Sequence, residues 1–476
     1  MKKYIFIILA IVAVVAIGGY YFLFGKKDVC KNVIPEDAKA VMVLDSKQLV
    51  KQIGIDSSDI LGFLQSDKNK KEDLGIDLLS PMYGFLSNES YLCGVMALSD
   101  ADDFEEAIKK EGISVESQRG FKWAYNKEMI VCYDDEKALL LGPISQTESH
   151  NMRPRMVEWM SQSSSKNPML SSVLKQDGAL CLSSKMSVVP GSYMHQVLQY
   201  LNNPFDMDKV FLNAELSIKE KSLHLSASVE SDEEEIKDLV SKADGILQPI
   251  QASQLRSSAS DPLLWVGFNA KGASLLEGMR KNSVLRLFLV GVNLCVDADM
   301  MLKAVDGDVC FELSDITSQQ ANYTLKAQVT NQDFLKNANE WNTGFLGKSF
   351  SFKSIDKNNY MLQGAGSTTY FGVKDNMAYF SSNQNVTSNE GSNTSDNFVS
   401  NNKSEIEGKI IYASISMNKL SRLPEIQNMM GKDSQMLSVF FDKMDRFTVS
   451  ATDYLHYDIE LTTKEDISDF IKQFLK

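Results

Sequence analysis

Histidine is scarce in this chain of 476 residues: only His150, His195, His224 and His456 are present. Histidine supplies most general bases and many metal ligands in enzymes. The sequence also lacks a glycine-rich phosphate loop, a His-Glu-x-x-His motif and the paired cysteines of a zinc knuckle. These absences exclude the enzyme classes that such motifs identify. We therefore predict no catalytic, cofactor-binding or metal-binding residue.

Cysteine is also sparse, and it follows no regular spacing. The six cysteines are Cys30, Cys93, Cys132, Cys181, Cys295 and Cys310, without a Cys-x-x-Cys pair. All except Cys30 stand inside apolar runs, which predicts small buried hydrophobic side chains. An oxidising compartment would still permit a bridge, and Cys295 with Cys310 is the first candidate pair.

Basic residues are outnumbered: 49 Lys and Arg face 62 Asp and Glu, which gives a formal net charge of −13. Four of the lysines belong to the first 27 residues, so 45 basic and 62 acidic residues remain after them, a formal charge of −17. Nucleic acids and anionic lipid surfaces bind clusters of Lys and Arg. The charge therefore disfavours nucleic acid and anionic lipid surfaces as partners, and we predict no nucleic-acid partner.

One long apolar segment stands at the N-terminus. Tyr4–Phe24 is uncharged, and as a helix it would span about 30 Å, enough to cross a bilayer core. Aromatic residues crowd its distal end, as in an interfacial belt. We predict that residues 1–27 form a signal-anchor, a single transmembrane helix with the body facing the periplasm or cell exterior. A cleaved signal peptide or a buried globular helix is the alternative.

The rest of the chain repeats one pattern with an offset near 231 residues. Each half opens with a strand that follows a proline, Pro35 in the first half and Pro262 in the second. Near the end of each half, Leu223-His224-Leu225 matches Leu455-His456-Tyr457. The order of the intervening matches is conserved, which predicts an internal duplication.

Each half closes on a predicted amphipathic helix. Ser231 with Glu234, and Thr462 with Glu465, have the spacing of a capping box. The apolar stripes that follow are Ile236, Leu239 and Val240 in the first half and Ile467, Phe470 and Ile471 in the second. We expect each stripe to face the core of its own half.

The predicted fold class is α+β: two tandem, duplicated units of antiparallel sheet covered by helices, after one N-terminal transmembrane helix. The predicted boundaries are residues 28–250 and 251–476. Residues 381–408 are rich in Asn and Ser, and such a composition buries too little apolar area to offset the entropy of ordering. We therefore predict a flexible loop there.

Short stretches of the chain resemble a known family. They are Ile34–Ala38 with the following strand, Gly75–Leu78 with Pro81, and Ala304–Val309. Over roughly residues 30 to 476 the sequence resembles exported Bacteroidetes proteins classed as a domain of unknown function. Members are often lipid-anchored, but here Lys27-Asp28-Val29 precede Cys30, which departs from a lipoprotein signal. The resemblance implies no activity and no site residues.

His224 and His456 occupy equivalent positions in the two halves. Alternation along each strand puts both on a polar face, His224 beside Ser226 and His456 beside Asp458. We predict surface or inter-domain structural histidines, with a paired site as the alternative.

Two further clusters suggest weaker sites. Asp297, Asp299, Asp306 and Asp308 carry the oxygen ligands that calcium prefers, but their spacing fits no EF-hand loop. Asp306-Gly307-Asp308 is more simply a hairpin turn. Ser172 and Lys175 have the Ser-x-x-Lys spacing of some acyl-enzymes, without the companion motifs.

The sequence therefore predicts a membrane-anchored extracytoplasmic protein of unknown function, with a non-enzymatic binding role or a structural role in the envelope. Its predicted partners are the membrane, through residues 4–24, and an unknown protein or small-molecule ligand, without a cofactor. The alternative is an extracytoplasmic hydrolase with a site between the two halves.

Overall fold

The computed structural model describes residues 28–53, 74–77, 80–190, 205–252, 255, 259–293, 296–317, 320–338, 340–343, 350–364, 366–387, 397–424, 426–427 and 441–469. The predicted anchor at residues 4–24 lies outside these ranges. Within them, no helix has both the length and the apolar content needed to cross a membrane.

The described chain divides into two compact units, and each combines helices with antiparallel strands, as the α+β prediction expected. Unit 1 holds the described residues of Met1–Val197, Phe205–Glu233 and Glu465–Lys476. Unit 2 holds those of Glu234–Lys464.

Unit 1 is a sheet with helices. Its strands are β1 (Ala40–Leu44), β2 (Met82–Leu86), β3 (Leu92–Ala97), β4 (Val115–Gln118), β5 (Phe121–Tyr125), β6 (Ile130–Tyr133), β7 (Lys137–Gly142), β8 (Leu180–Lys185), β9 (Val210–Lys219) and β10 (Ser222–Ser231). Its helices include α1 (Ser46–Ile53), α2 (Ala101–Lys110), α3 (Gln146–Met160) and α4 (Pro168–Val173).

The strands of unit 1 pair antiparallel in the order β4-β5-β6-β7-β3-β2-β1-β8-β9-β10. Across the middle of this sheet runs a row of directly paired residues, which we call the central row of unit 1: Phe85, Val41, Ser183, Asn213 and Ser228. Directly paired residues project from the same face of a sheet. That face therefore changes from apolar at β2 and β1 to polar at β8, β9 and β10.

Helix α3 covers the apolar part of this face. It begins at a capping box in which the Glu148 amide donates to Ser145 Oγ and the Glu148 carboxylate accepts from the Ser145 amide. Met156 and Trp159, at helical spacing, are fully buried. The Trp159 ring meets the Phe85 ring edge-on, with centroids 5.4 Å apart. The apolar end of the central row is thereby sealed from solvent.

Unit 2 is also built from strands and helices. Its strands are β11 (Leu247–Gln248), β12 (Leu264–Lys271), β13 (Val305–Ile316), β14 (Ala321–Val329), β15 (Ser351–Ser354), β16 (Asn359–Gly364), β17 (Ser367–Lys374), β18 (Met377–Ser381), β19 (Ile411–Ser416), β20 (Met444–Ala451) and β21 (His456–Thr463). Its helices include α5 (Glu234–Ala243), α6 (Gly272–Lys281), α7 (Ser283–Asn293), α8 (Ala298–Ala304), α9 (Phe398–Asn401), α10 (Lys403–Ile406) and α11 (Met417–Ser421).

The strand order of unit 2 is β15-β16-β17-β18-β14-β13-β12-β19-β20-β21, again antiparallel throughout. The short β11 pairs with the end of β12. Strand for strand, this is the order found in unit 1. The central row of unit 2 is accordingly Glu312, Trp265, Ser414, Thr448 and Glu460.

Trp265 is the centre of the core in unit 2. It is fully buried, and its ring packs against Phe398 at 5.5 Å and Tyr412 at 6.0 Å between centroids. The ring also lies against Gly267, where an added Cβ would come within 2.3 Å of it. Gly267 therefore makes room for the tryptophan, because any other residue would collide with its ring.

Part of the predicted flexible loop belongs to this core. Residues 388–396 lie outside the described residues, but Phe398 and Ile406 are buried with Trp265. Asn397 caps α9, its Oδ1 accepting from the Ser400 amide at 3.1 Å. The structure therefore corrects the flexible-loop prediction for residues 397–408, because a few apolar side chains tie an Asn- and Ser-rich segment to the core.

The predicted hairpin turn at Asp306-Gly307-Asp308 is wrong. These residues lie inside β13, at a register shift between Val305 and Val309, where Gly307 has φ +133°. Glycine adopts that backbone conformation without strain, so it suits a bulge as well as a turn. The bulge turns Asp308 into the interior, where its carboxylate accepts from the amides of Gln251 and Ala252.

The two units differ at the start of the helical segment that follows β3 in unit 1 and β14 in unit 2. Asp100 caps α2 by accepting from the amides of Asp102 and Asp103. In unit 2 the corresponding segment is only a 3-10 turn, Asp333–Leu335, without a side-chain cap. The Thr330 hydroxyl before this turn donates to the Ala304 carbonyl.

The closing helices do not pack as predicted. Ile467 is buried against Ile53 and Ile218 of unit 1 rather than in the core of unit 2. Helix α5, which carries the half-buried Ile236 and Val240, belongs to unit 2 rather than unit 1. Phe470 and Ile471 lie outside the described residues, and for Leu239 only the backbone is described. An apolar stripe requires burial but does not specify the sheet that provides it.

The capping boxes expected at these helices are also absent from the described hydrogen bonds. Ser231 Oγ accepts from the Glu233 amide, one residue before the predicted donor Glu234. Thr462 Oγ1 accepts from the Arg446 amide and donates to the Arg446 carbonyl. The threonine hydroxyl is therefore used by the β20–β21 pairing.

Phe398→Ala should lower the free energy of unfolding by about 3–5 kcal/mol, because it leaves a cavity beside Trp265. Phe288→Ala is the matched control, since Phe288 is exposed on α7, and it should change stability by less than about 0.5 kcal/mol. Urea unfolding followed by tryptophan fluorescence measures both. Equal effects of the two substitutions would contradict the placement of Phe398 in the core.

Candidate ligand site

The sequence's candidate histidines each have local partners. His224 belongs to unit 1, where its Nδ1 lies 3.5 Å from Ser226 Oγ on the same strand face. His456 belongs to unit 2, is exposed, and its Nδ1 lies 2.9 Å from the Asp453 carboxylate. His150 is exposed on α3, and His195 lies outside the described residues. Local contacts thus account for the two strand histidines within their own units.

The four aspartates considered for calcium have separate roles. Asp297 caps α8, Asp299 pairs with Arg280 and Asn293, and Asp306 lies opposite Lys271 in the β12–β13 pairing. Asp308 is fully buried, and besides two backbone amides it accepts from Asn269 Nδ2 at 2.9 Å. Over the described ranges, no group of three or more His, Cys, Asp or Glu is placed to hold a metal ion. Asp308 acts as a structural acceptor that fixes the segment before β12.

Ser172 and Lys175 come together in a polar groove of unit 1 with a volume of about 340 Å³. The groove is lined by Pro168, Ser171, Ser172, Lys175, Gln176, Asn213, Ser228 and Glu230. It lies at the polar end of the central row, since Asn213 and Ser228 are members of that row. The lining contains hydroxyl and amide groups and one charge of each sign, but no aromatic ring.

Helix α4 forms one wall of the groove. Asn167 fixes its start: Oδ1 accepts from the Met169 amide at 2.9 Å, and Nδ2 donates to the Pro35 carbonyl at 2.9 Å. On the side facing the core, Met169, Leu170 and Val173 are buried. Helical spacing then leaves Ser171 and Ser172 on the side that lines the groove. The cap and the apolar side together hold this wall in place.

Asn213 on β9 forms the floor. It is only 5% exposed, and Ser172 Oγ donates to its Oδ1 at 3.2 Å. That bond orients the amide, so Nδ2 remains as the donor available to other groups. Ser172 is thus engaged by an amide, whereas an acyl-enzyme would need its hydroxyl activated by the base of the Ser-x-x-Lys pair.

Two buried polar atoms of the groove have no hydrogen-bond partner: Asn213 Nδ2, a donor, and Gln176 Oε1, an acceptor. Ser183 Oγ, on the residue paired with Asn213, is a third such atom next to the groove. A buried polar group without a partner costs about 1–3 kcal/mol. A water molecule or a bound polar group could satisfy such atoms at the edge of a groove.

The corresponding positions of unit 2 lack this arrangement. Thr448 occupies the place of Asn213 in the central row. Two residues earlier on the same strand, Arg446 donates to Asn402 Oδ1 at 2.7 Å and its guanidinium lies over the Phe398 ring, 4.9 Å from the centroid. Polar groups at this place in unit 2 therefore pair with one another. Unit 2 can thus serve as an internal control for the groove of unit 1.

The cysteines are not part of the site. Cys30, Cys93, Cys132, Cys181 and Cys310 are buried free thiols, which confirms the prediction of small buried side chains. Burial raises the pKa of Cys132 and of Cys310 to about 12, and that of Cys181 to about 11. Cys295 lies outside the described residues. A thiolate is the reactive form of cysteine, so the described thiols are chemically inert.

Reasoning from sequence missed Asn213 and Gln176. The available signal was a polar residue on the core-facing side of a strand, where Asn213 shares its side of β9 with Phe211. A comparison of the two halves at a constant offset did not align Asn213 with Thr448. The stretch from Ser414 to Thr448 is four residues longer than the stretch from Ser183 to Asn213, so the offset of 231 matches Asn213 with Met444 instead.

Comparisons with known proteins give a family but no activity. A family model described as "Domain of unknown function (DUF4836)" matches residues 63–468. No curated protein matches the chain. Crystal form I of TP0453 is 12% identical, covers 47% of this chain and 87% of its own, and has a TM-score of 0.27. Crystal form IV is 10% identical, covers 46% of this chain and 85% of its own, and has a TM-score of 0.28. Likeness at this level supports no conclusion about fold or function.

The five described thiols should resist Ellman's reagent at pH 8 in the folded protein. A pKa near 11 or above leaves roughly one thiol in a thousand or fewer ionised at that pH. After denaturation in guanidinium they should all react. Mass-spectrometric mapping of the modified cysteines distinguishes them from Cys295. Fast modification of Cys132 or Cys181 before unfolding would contradict their burial.

Proposed function

The chain belongs to the DUF4836 family, and we propose that it is a non-enzymatic binding protein whose groove in unit 1 takes a small, uncharged, amide-bearing ligand. The observation that carries this proposal is the unpaired donor and acceptor of the groove, Asn213 Nδ2 and Gln176 Oε1. An amide carries both a carbonyl acceptor and an N–H donor, so an amide-bearing ligand offers a partner of each kind.

The size and the charges of the groove favour the same ligand class. A volume of about 340 Å³ is at the lower end of the range for small-molecule sites. Lys175 and Glu230 provide one charge of each sign, so neither an anion nor a cation is selected. Hydroxyls of Ser171, Ser172 and Ser228 add donors and acceptors for a hydroxylated molecule. An N-acetylated sugar and a capped dipeptide both fit this description.

A hydrolase with a site between the two halves is the alternative that the sequence left open. In the part of the chain that the structure describes, no observation favours it. The Ser172 hydroxyl donates to Asn213 Oδ1 and so helps to position the amide of the groove. Hydrogen bonding without an activated nucleophile supports binding rather than turnover.

We also propose that the two units arose by duplication and then diverged. Ten strands in the same order and direction support a common origin, since many orders are available to ten antiparallel strands. Replacement of Asn213 by Thr448 in the second copy supports divergence of the site. Under this proposal only unit 1 retains the ligand site.

Residues 4–24 are proposed to hold this binding protein in a membrane, with the body in the periplasm or outside the cell. The support is the sequence alone: an uncharged stretch long enough to span a bilayer, with lysines on both sides. A tethered binding protein would sample ligands at the membrane surface.

The ligand test is saturation-transfer NMR on the full-length protein with N-acetylglucosamine, an acetylated dipeptide amide, and glucose. At least one amide ligand should bind saturably in roughly the millimolar range, and glucose should not. Comparing the two amide ligands shows whether the groove prefers an amide carried by a sugar or one carried by a peptide. Asn213→Ala should weaken binding about five- to tenfold, because one hydrogen bond is lost.

Thr448→Ala is the matched control and should leave affinity unchanged, since it alters the equivalent position of unit 2. Asn213→Ala also removes the acceptor of the Ser172 hydroxyl, so the melting temperature of each variant with ligand is compared with that of the same variant without ligand. Asn213→Ala should reduce the rise in melting temperature that ligand causes, because the ligand binds more weakly. Absence of saturable amide binding, or binding that ignores Asn213→Ala, would refute the proposed site.

The tether test is membrane fractionation of cells that express the full chain. The protein should stay in the pellet through high salt and alkaline carbonate, because an apolar span is held by burial in lipid rather than by charge. Replacing two central residues, Val14 and Val15, with Asp should release it, whereas Val14→Leu with Val15→Leu should not. Release of the unaltered chain, with a new N-terminus near Ile17, would mean a cleaved signal peptide.

A further inference from the structure

Helix α7 exposes an unusual amount of apolar surface. Fourteen large apolar side chains are exposed among the described residues, and five of them are on this helix of 11 residues. Their exposed fractions are Val284 59%, Leu285 38%, Leu287 70%, Phe288 62% and Val290 56%. Single exposed apolar residues are ordinary, but a contiguous patch marks an interaction surface.

The patch is the main face of the helix. Val284, Leu287, Phe288 and Gly291 follow the i, i+3, i+4, i+7 spacing that normally faces a core. An added Cβ at Gly291 would meet nothing within 4 Å, so this face is open along its length. Leu289, on another side, is the buried residue of the helix. The helix therefore presents its apolar stripe to solvent.

The helix is held in this orientation. It packs on α6 and α8 of the same unit, and Asn282 Oδ1 accepts from the amides of Val284 and Leu285 at 3.0 and 2.9 Å. An Asn at this position is a favoured N-cap. The exposed stripe is thus a built surface rather than a frayed end.

The length of α7 limits the kind of apolar environment that the helix can enter. Eleven residues make a helix of about 16 Å, half of the roughly 30 Å of a bilayer core. The helix cannot span a membrane, but it can lie in the interface with its apolar face among the acyl chains. Its length and composition suit that position.

Charge points to the same partner. The chain as a whole is acidic, yet the only charged residue of α7 is Arg286, which is exposed. The other charged residues of Gly272–Asn293 are ion-paired, Arg280 with Asp299 and Lys281 with Glu277. The exposed Arg286 beside the apolar face complements the phosphates of lipid head groups.

We infer that α7 is a second membrane contact, a helix that lies in the lipid interface with Val284, Leu287 and Phe288 among the acyl chains. This inference rests on the proposed tether but not on the ligand groove. A tether at residues 4–24 keeps lipid at a high effective concentration around the body, so a short apolar helix suffices for docking. Docking would restrain the otherwise tethered body at the membrane surface.

The test uses tryptophan quenching in the full-length protein reconstituted into phosphatidylcholine vesicles, with and without brominated acyl chains. The four native tryptophans are buried: Trp123, Trp159, Trp265 and Trp341. Phe288→Trp places a probe in the stripe, and brominated lipid should quench about half or more of the added emission. Ile355→Trp, at another exposed apolar site of unit 2, is the control and should not be quenched.

A second variant separates docking from folding. Leu287→Glu in the Phe288→Trp background should abolish the added quenching while far-UV circular dichroism and the melting temperature stay unchanged, because Leu287 is exposed. Vesicle-bound protein without quenching at Phe288→Trp would overturn the inference and leave the tether intact. Equal quenching at both probes, or a dimer that buries α7, would overturn it as well. Full-length protein that fails to float with vesicles would refute both the tether and the docking.

Discussion

The register of the central strands is the constraint on which the rest of unit 1 depends. Because β1, β8, β9 and β10 are paired residue to residue, Val41, Ser183, Asn213 and Ser228 share a face whatever their separation in sequence. A slip of one residue in any of these strands would move that strand's member of the row to the other face. The apolar end of that row is closed by α3, and the polar end is left for the groove.

The groove exists because helix α3 and the apolar part of the central row end at nearly the same place. Helix α4 needs only one side for the core, where Met169 and Val173 are buried. Its other side brings Ser172 within 3.2 Å of Asn213. If helix α4 packed closer to the sheet, or if β9 carried a larger residue in place of Asn213, this space would be filled. A small difference in packing thus decides whether this edge of the core forms a groove or is filled by side chains.

Unit 2 shows how the same topology supports a different surface. Trp265 takes the place of Val41 in the central row and gathers Phe398 and Tyr412 around it. With the aromatic core extended to α9, Arg446 pairs with Asn402. These polar groups beside the row are therefore satisfied within the protein. The apolar surface of unit 2 is instead displayed on α7, away from any core of its own.

Local sequence patterns by themselves determined the antiparallel strands and the buried cysteines, because each depends on neighbours a few residues away. Only the tertiary structure decided that Ile467 packs on Ile53, that Asp308 is buried at a bulge, and that residues 397–408 join a core. It also decided that Gln176 and Asn213 line one groove. These outcomes depend on contacts between residues far apart in the chain. An amphipathic or polar pattern states that a side chain needs a partner, but only the packed register determines which partner it meets.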